Sequence, residues 1–380
     1  MFLYQKSGRY FAQVADGLQD LATAELTKLG ATEVAPAYRG LWFDAAPKDL
    51  YRIVYRTRLL TRVLAPLLVF DCHSTRYLYK TARQMDWSQL LQVDQTFAVH
   101  ANVGNSKVRH GQYASRVLKD AVADWFMGRG GTRPSVDPRE PDLWLYLSIH
   151  HDRATIYVDC AGGSLHRRGY RRESVAAPLM ETLAAAIVEL SGWEGGQPLA
   201  DPMCGSGTLL CEALLKQAGI PAGYLRRRFG LEHLPDYDAA LWKRVKDKAD
   251  AGITLPAKGL LFGNEINGLN LEAARANAAL LPGGDRITWR RGDFRELSGL
   301  EDRTILCNPP YGKRLETGGT AAALLTDLGD FLKQRCTGSR AFIYVGDRQL
   351  LKSVGLRPSW KKALRNGALD GRLACYEVYP

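Results

Sequence analysis

The stretch Asp201-Pro202-Met203-Cys204-Gly205-Ser206-Gly207-Thr208 decides the fold of this chain. It follows a short apolar run at residues 198–201 and opens a run of helical periodicity at 208–218, so the sequence predicts a strand, a glycine-rich turn and a helix. In an open parallel sheet, such a turn lies beyond the carboxyl end of a strand and approaches a bound ligand closely. Gly205 and Gly207 would let the backbone pass near that ligand without a clash from a Cβ atom.

Strand-like and helix-like segments alternate on both sides of this turn, as is typical of a parallel doubly wound sheet. Strands are predicted at 198–201, 260–265, 286–290, 304–308 and 340–345, and helices at 178–190, 208–218, 269–281 and 321–335. Two strand-like pieces near Asn366-Gly367 and Asp370-Gly371 predict an antiparallel hairpin at the sheet edge. The expected fold is therefore an α/β Rossmann-like domain, with a mostly parallel sheet and an antiparallel C-terminal hairpin.

The ends of the first three predicted strands carry side chains that suit S-adenosylmethionine (SAM). Asp201 would receive the amino group of its methionyl moiety, and backbone N–H groups at the helix start suit its carboxylate. Glu265 ends the second strand, where ribose hydroxyls need an acceptor. Asp293 follows the third strand and would accept from the adenine amino group. Taken alone, the glycine turn also fits strand–helix packing or another nucleotide site.

Apolar residues next to two of these acids complete the predicted cofactor site. Ile266 would flank the adenine, and Phe294 would form an apolar wall. The predicted cofactor-binding residues are Asp201, Pro202, Cys204, Gly205, Ser206, Gly207, Thr208, Glu265, Ile266, Asp293, Phe294 and Asn308.

The tetrapeptide Asn308-Pro309-Pro310-Tyr311 follows the fourth predicted strand and carries the predicted chemistry. A given tetrapeptide of this kind occurs by chance in about one chain in a thousand of this size. The prolines fix φ and remove backbone donors, so the loop is rigid and rich in acceptors. The Asn308 side-chain oxygen and the Pro309 carbonyl can each accept from an exocyclic NH₂ group, which aims its lone pair at a methyl donor. The predicted catalytic residues are Asn308, Pro309, Pro310 and Tyr311, the last stacking on a base.

The tetrapeptide predicts a planar amine as the acceptor, but it does not distinguish guanine from adenine. Three functions stay open at this point: methylation of guanine N2 in large-subunit ribosomal RNA, methylation of adenine N6 or of transfer-RNA guanine, and RNA binding without catalysis. The intact set of Asp201, Glu265, Asp293 and Asn308 argues against lost catalysis. Cys204 and Cys307 flank the site, and we expect both to pack as small apolar residues.

Composition sets the context for these motifs. The 380 residues, 46% hydrophobic and 24% charged, predict two or three globular domains. The formal net charge of +11 favours an acidic partner such as nucleic acid. The seven cysteines show no CxxC spacing, so no metal site is predicted and a reducing compartment is expected. Neither a signal peptide nor a membrane span is evident, so the expected location is the cytoplasm, with no membrane partner.

Basic residues at the join between the two halves predict contacts with RNA phosphates. The predicted RNA-binding residues are Arg167, Arg168, Arg171 and Arg172 at the join, Lys119 in the N-terminal half, and Lys313 and Arg314 just after the tetrapeptide. Lys313 and Arg314 would either contact phosphate or form a solvated turn. The triplet Arg226-Arg227-Arg228 would either contact phosphate or form a solvated basic linker.

Several of these stretches resemble one known family. Ser164-Leu165-His166-Arg167-Arg168-Gly169-Tyr170-Arg171, Ala177-Pro178-Leu179 and residues 199–210 and 305–315 are similar to RlmL-type ribosomal RNA guanine-N2 methyltransferases; residues 102–124 add a weaker likeness. The N-terminal half mixes short strand-like and helix-like segments, which predicts an α+β module. The resemblance implies that this module is a THUMP RNA-binding module with a ferredoxin-like extension in front of the SAM domain, and that 23S ribosomal RNA is the partner. Glu265 stands where the family usually has aspartate, and the longer acid still reaches ribose hydroxyls.

The resemblance also implies the domain boundaries. We expect a ferredoxin-like extension at 1–48, a THUMP domain at 49–160, a basic linker at 161–175 and the methyltransferase domain at 176–380. Some relatives carry a second methyltransferase domain after this one. Because the sequence stops at Pro380, only the guanine-N2 activity is expected.

Overall fold

The computed structural model describes residues 1–172, 179–310, 320–367 and 369–379. The chain divides into two compact units. Unit 1 comprises Met1–Val14, Thr23–Leu165 and Arg226–Asp247. Unit 2 comprises Ala15–Ala22, His166–Leu225 and Lys248–Pro380.

Unit 1 is built on an eight-stranded sheet of order β2-β3-β1-β4-β8-β7-β5-β6. Its strands are β1 (Arg9–Gln13), β2 (Thr32–Ala37), β3 (Gly40–Asp44), β4 (Arg62–Asp71), β5 (Thr96–Gly104), β6 (Ser135–Val136), β7 (Leu143–His150) and β8 (Arg153–Asp159). Strand β5 pairs in parallel with β6 and β7, and the other neighbours are antiparallel. This mixed α+β unit agrees with the sequence prediction for the N-terminal half.

The helices of the N-terminal half are amphipathic. They are α1 (Leu3–Ser7), α2 (Gln19–Lys28), α3 (Pro47–Arg56), α4 (Thr75–Ala82) and α5 (Gly111–Gly130). In α3, Pro47 occupies the first turn, where its missing N–H costs nothing, and Leu50, Ile53 and Val54 are buried at helical spacing. The buried stripe fixes the side of α3 that packs on the rest of the unit.

Residues 226–247 belong to unit 1, although they lie within the range predicted for the methyltransferase domain. Arg226 donates to the carbonyl oxygen of Ser164 at 3.0 Å, so this arginine of the basic triplet serves a contact within the unit. The ring of Trp242, in helix α8 (Ala239–Asp250), lies edge-on to Tyr51 at 5.7 Å. These contacts are long-range in sequence, so no periodicity pattern predicts them.

Unit 2 is built on a seven-stranded sheet of order β11-β10-β9-β12-β13-β15-β14. Its strands are β9 (Leu199–Asp201), β10 (Leu261–Glu265), β11 (Thr288–Arg291), β12 (Thr304–Cys307), β13 (Arg340–Val345), β14 (Trp360–Ala363) and β15 (Arg372–Glu377). Strands β9 to β13 are parallel, and β15 runs antiparallel to β13 and β14. The predicted mostly parallel sheet with its antiparallel C-terminal hairpin is confirmed.

Two of the helices of unit 2 begin at side-chain caps. The helices of the unit are α6 (Glu181–Leu190), α7 (Thr208–Ala218), α9 (Gly268–Ala278) and α10 (Ala321–Arg335). The Asn267 side chain accepts from two backbone N–H groups at the start of α9, and Thr320 accepts from Ala323 at the start of α10. Across the described ranges, every helix is too short or too polar to span a membrane.

Candidate active site

The site lies where the strand order of the unit 2 sheet reverses. Strand β9 pairs with β10 on one side and with β12 on the other. The register places Asp201 beside Gly263 and Ala200 beside Ile305. The carboxyl ends of the three strands therefore share one edge, which is the ligand-binding position of doubly wound sheets.

The glycine-rich turn has the backbone that its sequence predicted. Gly205 and Gly207 have φ angles of +54° and +78°, a region that side chains with a Cβ atom rarely adopt. A Cβ atom on Gly207 would also come within 3.1 Å of Ala274 in α9. By contrast, a Cβ on Gly205 would meet no atom within 4 Å, so this residue borders open space. Gly207 is thus required for packing, and Gly205 leaves room for a ligand.

Glu265 joins the first two loops of the site. Its Oε2 accepts from the backbone N–H of Gly205 at 2.9 Å, and its Oε1 accepts from that of Asn267 at 2.9 Å. Each carboxylate oxygen keeps a second lone pair that a ribose hydroxyl can use. The backbone contacts therefore fix the carboxylate in place without exhausting its capacity as an acceptor.

Asn264, in β10, connects the loops that follow β9 and β11, a role that was not predicted from the sequence. Its Nδ2 donates to the carbonyl oxygens of Pro202 at 3.0 Å and Gly292 at 2.9 Å. The backbone carbonyl oxygen of Asn264 accepts from the N–H of Cys204 at 2.9 Å. An amide in an otherwise apolar buried strand was the available sequence signal, since buried polar groups need partners.

Asp201 is buried at the end of β9, with 1% of its surface exposed. Its Oδ1 accepts from the backbone N–H of Met203 at 3.2 Å. Burial raises the pKa of the Asp201 carboxyl well above its usual range, and the nearby Glu265 carboxylate raises it further. A cationic group bound at this edge would favour the ionised form of Asp201.

The loop after β11 fits the prediction only in part. Asp293 accepts from the N–H of Arg295 at 3.0 Å and forms an ion pair with its guanidinium at 2.7 Å. The Phe294 ring is 4% exposed and lies edge-on to Phe331 at 5.5 Å, within the hydrophobic core. Its ring is therefore not available as the predicted apolar wall, because core packing already covers it. Ile266, in contrast, is exposed beside the site.

The two flanking thiols are buried. Burial raises the pKa of both Cys204 and Cys307 well above the usual thiol range, and the carboxylates of Asp201 and Glu265 add to the rise. A thiolate is the nucleophilic form of cysteine, and here it is strongly disfavoured. The geometry therefore agrees with small apolar packing roles for both.

Asn308 directly follows β12, at the same edge as Asp201. Its Oδ1 is buried and accepts no hydrogen bond from any residue that the structure describes. Buried polar atoms of folded proteins almost always have a partner, so this acceptor, like Oδ1 of the nearby Asn264, has capacity for a donor from outside the described residues. Pro309 is buried and Pro310 half-buried. Tyr311, Lys313 and Arg314 lie outside the described residues.

The segment of residues 166–172, called the basic strap below, is partly buried, which corrects two RNA-binding predictions. The side chain of Arg168 is 2% exposed, and its Nε lies 3.3 Å from Oε1 of the fully buried Glu212. The same Oε1 accepts from the Tyr170 hydroxyl at 3.0 Å. Because Arg168 serves this interior ion pair, it is not available to RNA phosphates.

Arg171 is the second correction. Its Nε lies 3.6 Å from Glu181, and its Nη2 donates to Oγ1 of Thr208 at 2.9 Å. Its neighbour in the strap also holds the cofactor loop: the N–H of Arg172 donates to Asn277 at 3.0 Å. The Asn277 side chain in turn donates to the carbonyl oxygen of Ser206 at 3.2 Å. The strap therefore braces the glycine-rich turn.

Three other predicted RNA contacts, Arg167, Arg172 and Lys119, lie at the surface. The side chains of Arg167 and Arg172 are exposed. Lys119, in α5, lies 2.9 Å from Asp120, an exposed pair that solvent screens strongly. These three positions stay predictions as RNA contacts. In the described part of the chain, no three His, Cys, Asp or Glu side chains are grouped to hold a metal ion.

Open space at Gly205, the buried Asp201 and the Asn308 acceptor, which has no partner among the described residues, together fit the SAM predicted from the sequence. SAM carries a cationic amine for the acid and a methyl group to deliver toward the acceptor. Each of these features belongs to the same edge of the unit 2 sheet.

Comparison with protein families gives three matches in the predicted order. The RlmL ferredoxin-like domain matches residues 9–64, the THUMP domain residues 73–159, and the RMKL-like methyltransferase domain residues 168–374. The predicted sequence of modules is confirmed, while the boundaries at 48, 160 and 175 stay predictions.

Curated relatives match nearly the whole chain. It is 36% identical over 371 residues to a candidate RNA methyltransferase, slr0064, of Synechocystis, with 97% of both chains covered. It is 37% identical over 378 residues to ribosomal RNA large subunit methyltransferase K/L of Vibrio campbellii, covering 97% of this chain and 53% of that protein. The chain thus spans about half the length of the K/L relative.

A solved structure identifies the cofactor. SMU.472, a candidate methyltransferase complexed with SAH, matches with a TM-score of 0.84 at 25% identity, covering 98% of each chain. SAH is what SAM becomes after it loses its methyl group, so the cofactor prediction is confirmed at the level of the fold and family. The chain belongs to the family of SAM-dependent RMKL-like methyltransferases that carry an RlmL ferredoxin-like domain and a THUMP domain ahead of the catalytic domain.

Proposed function

We propose that this chain transfers a methyl group from SAM to the exocyclic N2 amine of a guanine in 23S ribosomal RNA. The observation that carries the proposal is the buried Oδ1 of Asn308, which accepts no hydrogen bond among the described residues. An acceptor kept without a donor at the sheet edge suits a substrate that brings N–H groups. Its position directly after β12, beside the strand that carries the cofactor loop, supports a role in holding those N–H groups near a methyl donor.

On the substrate side, Asn308 Oδ1 and the Pro309 carbonyl oxygen each accept one N–H of the amine. Two acceptors hold the NH₂ group in a fixed orientation and favour a pyramidal nitrogen whose lone pair is directed away from the ring. Positioning thereby replaces a strong base. Tyr311 would offer a stacking face for the base, an assignment that rests on the sequence alone.

On the cofactor side, Asp201 faces the amino group of SAM, and the first N–H groups of α7 face its carboxylate. Glu265 accepts from the ribose hydroxyls, Asp293 from the adenine amine, and the exposed Ile266 covers the ring. SAM, when bound, supplies an electrophilic methyl group on a sulfonium.

The choice of ribosomal RNA as the substrate, and of guanine within it, rests on similarity to relatives and on composition rather than on the geometry of the site. The V. campbellii relative is named a large subunit ribosomal RNA methyltransferase, and a THUMP domain precedes the catalytic domain. The net charge of +11 suits a polyanion. Arg167, Arg172 and Lys119 remain proposed phosphate contacts, as do Lys313 and Arg314 on sequence grounds alone.

The test is incubation of the purified chain with methyl-labelled SAM and undermodified ribosomal RNA, followed by nucleoside analysis. N2-methylguanosine supports the proposal. N6-methyladenosine, or a product found only with transfer RNA, would replace it with one of the other amino-methyltransferase activities. Absence of any product with SAM bound would indicate an RNA-binding protein without catalysis.

A further inference from the structure

Asn264 places an amide in an apolar part of the unit 2 sheet. It is the fourth residue of β10 and is 1% exposed. Side chains two residues apart on a strand share a face, so Asn264 lies on the same face as Phe262, which packs against the hydrophobic core that contains Phe294. The next residue, Glu265, leaves the strand on the opposite face and holds the N–H of Gly205. The amide and the proposed ribose acid therefore serve different sides of the same strand end.

Both hydrogens of the Asn264 amide are used by neighbouring loops. Nδ2 donates to the carbonyl oxygen of Pro202 at 3.0 Å and to that of Gly292 at 2.9 Å. Each carbonyl belongs to the first residue after a strand, Pro202 after β9 and Gly292 after β11. Strands β9 and β11 flank β10 in the sheet. The amide therefore continues the hydrogen bonding of the sheet one residue beyond the strands on either side of β10.

These two loops hold the opposite ends of the proposed cofactor site. Pro202 directly follows Asp201, the proposed acceptor for the methionyl amine of SAM. Gly292 directly precedes Asp293, the proposed acceptor for the adenine amine. A shift of either carbonyl would move the acid next to it in the chain. One side chain thus sets the separation between the groups that hold the two ends of SAM.

The remaining polar atom of the amide argues against a role in stability alone. Asn264 Oδ1 is buried and accepts no hydrogen bond from any residue that the structure describes. A buried acceptor without a donor costs stability, so a leucine of similar size would suit the apolar surroundings better. Leucine, however, has no donor for the two carbonyl oxygens, and an ionised aspartate has none either. The property that distinguishes the amide from both is its pair of donors.

We propose that Asn264 is a positioning residue that fixes the length of the SAM site. Through the carbonyls of Pro202 and Gly292, it holds the methionyl and adenine ends at the separation that fits SAM. The inference rests on the proposed assignment of Asp201 and Asp293 to those two ends. Holding both ends before the ligand arrives raises affinity, because less has to be ordered on binding. It also makes the site selective for ligand length, since a shorter ligand cannot reach both ends at once.

The test compares two ligands that differ only in length. They are SAH and S-adenosylcysteine, which has one methylene fewer between its sulfur and its amino acid group. Isothermal titration measures both on the full chain, and we expect the unaltered chain to prefer SAH by at least about tenfold, the usual effect of one methylene. Asn264→Leu removes two hydrogen bonds, so it should weaken SAH binding by at least about fivefold and lower the preference for SAH by at least about threefold. The preference falls because the released loops can approach the shorter ligand.

Two further variants separate positioning from packing. Asn264→Ala removes the same donors without adding bulk, should lower the preference as the leucine variant does, and decides the test if the leucine variant is unfolded. Thr304→Val is the matched control, because Thr304 is equally buried and its Oγ1 accepts from Gln197 at 2.6 Å. Thr304 begins β12, at the end of the strand remote from the site. Its replacement should lower the unfolding temperature and leave the preference for SAH unchanged.

Two results would overturn the proposal. One is an unchanged preference for SAH in both Asn264 variants, even with weaker binding of both ligands, which is the outcome of a structural role alone. The other is an unaltered chain that binds SAH and S-adenosylcysteine equally, since such a site has no fixed length. These titrations contain no RNA, so they do not depend on which amine accepts the methyl group. Nucleoside analysis of ribosomal RNA methylated by the unaltered chain tests that reaction separately.

Discussion

Arg171 and Thr208 connect the basic strap to the cofactor helix: the guanidinium Nη2 donates to the threonine Oγ1 at 2.9 Å. Thr208 is the first residue of α7, whose free N–H groups face the proposed SAM carboxylate. The same Nη2 also donates to the carbonyl oxygen of Leu179 at 2.6 Å. A side chain remote in sequence thus fixes where the cofactor helix begins.

We expect Arg171→Ala to weaken SAM binding about tenfold, or about 1.4 kcal/mol, because it removes a charged hydrogen bond that holds the start of α7. The turnover number should change little once SAM is saturating. Isothermal titration with SAM and steady-state kinetics measure the two effects separately. Thr208→Val removes the acceptor alone, and its effect should not add to that of Arg171→Ala. Additive losses in the double variant would contradict the coupling.

Asn308→Ala should leave SAM affinity nearly intact and lower the turnover number by at least about a hundredfold, because it removes an acceptor used on the amine in the transition state. Asn308→Asp, nearly identical in shape, keeps an acceptor oxygen and should retain more activity than the alanine variant. SAM titration and single-turnover methyl transfer check both statements. A turnover number unchanged in Asn308→Ala would rule out the amine-holding role.

The sequence predicted the parts of the site whose signal is local. Gly207 and Asn308 each lie within a few residues of the end of a predicted strand. The regular alternation of strands and helices predicts a parallel sheet, in which the carboxyl ends of these strands lie at the same edge. Phe294 was misassigned because an apolar residue beside a site and an apolar residue of the core look alike in sequence. Only the packing against Phe331 distinguishes them.

The prediction that the basic strap contacts RNA phosphates was wrong for two of its arginines. A dense run of arginines is usually a solvated surface, but here Arg168 and Arg171 are neutralised by Glu212 and Glu181, which lie in helices farther along the chain. The available sequence signal for these ion pairs was an acidic residue in each of two mostly apolar helices. Pairing them with the strap needed the tertiary structure, because no sequence spacing encodes which buried acid meets which arginine.

The Arg168–Glu212 pair therefore yields a stability prediction in place of an RNA-binding one. Arg168→Met should destabilise the fold by about 3–5 kcal/mol, because it leaves a fully buried carboxylate without its cation. Arg168→Met/Glu212→Leu should recover much of that loss. Lys243→Met, which breaks the exposed pair with Asp247, is the control and should cost less than about 0.5 kcal/mol. Denaturant unfolding measures all three, and a loss in Arg168→Met no larger than in the control would contradict the buried pair.

The raised pKa of Asp201 makes SAM binding depend on pH. The folded chain without ligand keeps a proton on Asp201 at pH values where the unfolded chain, with a pKa of about 3.9, has lost it. The stability from that proton is complete below the unfolded pKa and is lost as pH rises through the folded one. The ammonium of SAM needs the ionised carboxylate, so binding must release the proton.

We therefore expect SAM affinity to increase as pH rises from about 4 toward the raised pKa, by up to about tenfold per pH unit, and then to level off. Asp201→Asn should bind SAM weakly and lose this slope. Asp293→Asn removes another carboxylate of the site, one already paired with Arg295, and should bind less tightly but keep the slope. Titration calorimetry in buffers of different ionisation enthalpy counts the proton released in each variant. An unchanged slope and an unchanged proton count in Asp201→Asn would show that another group titrates.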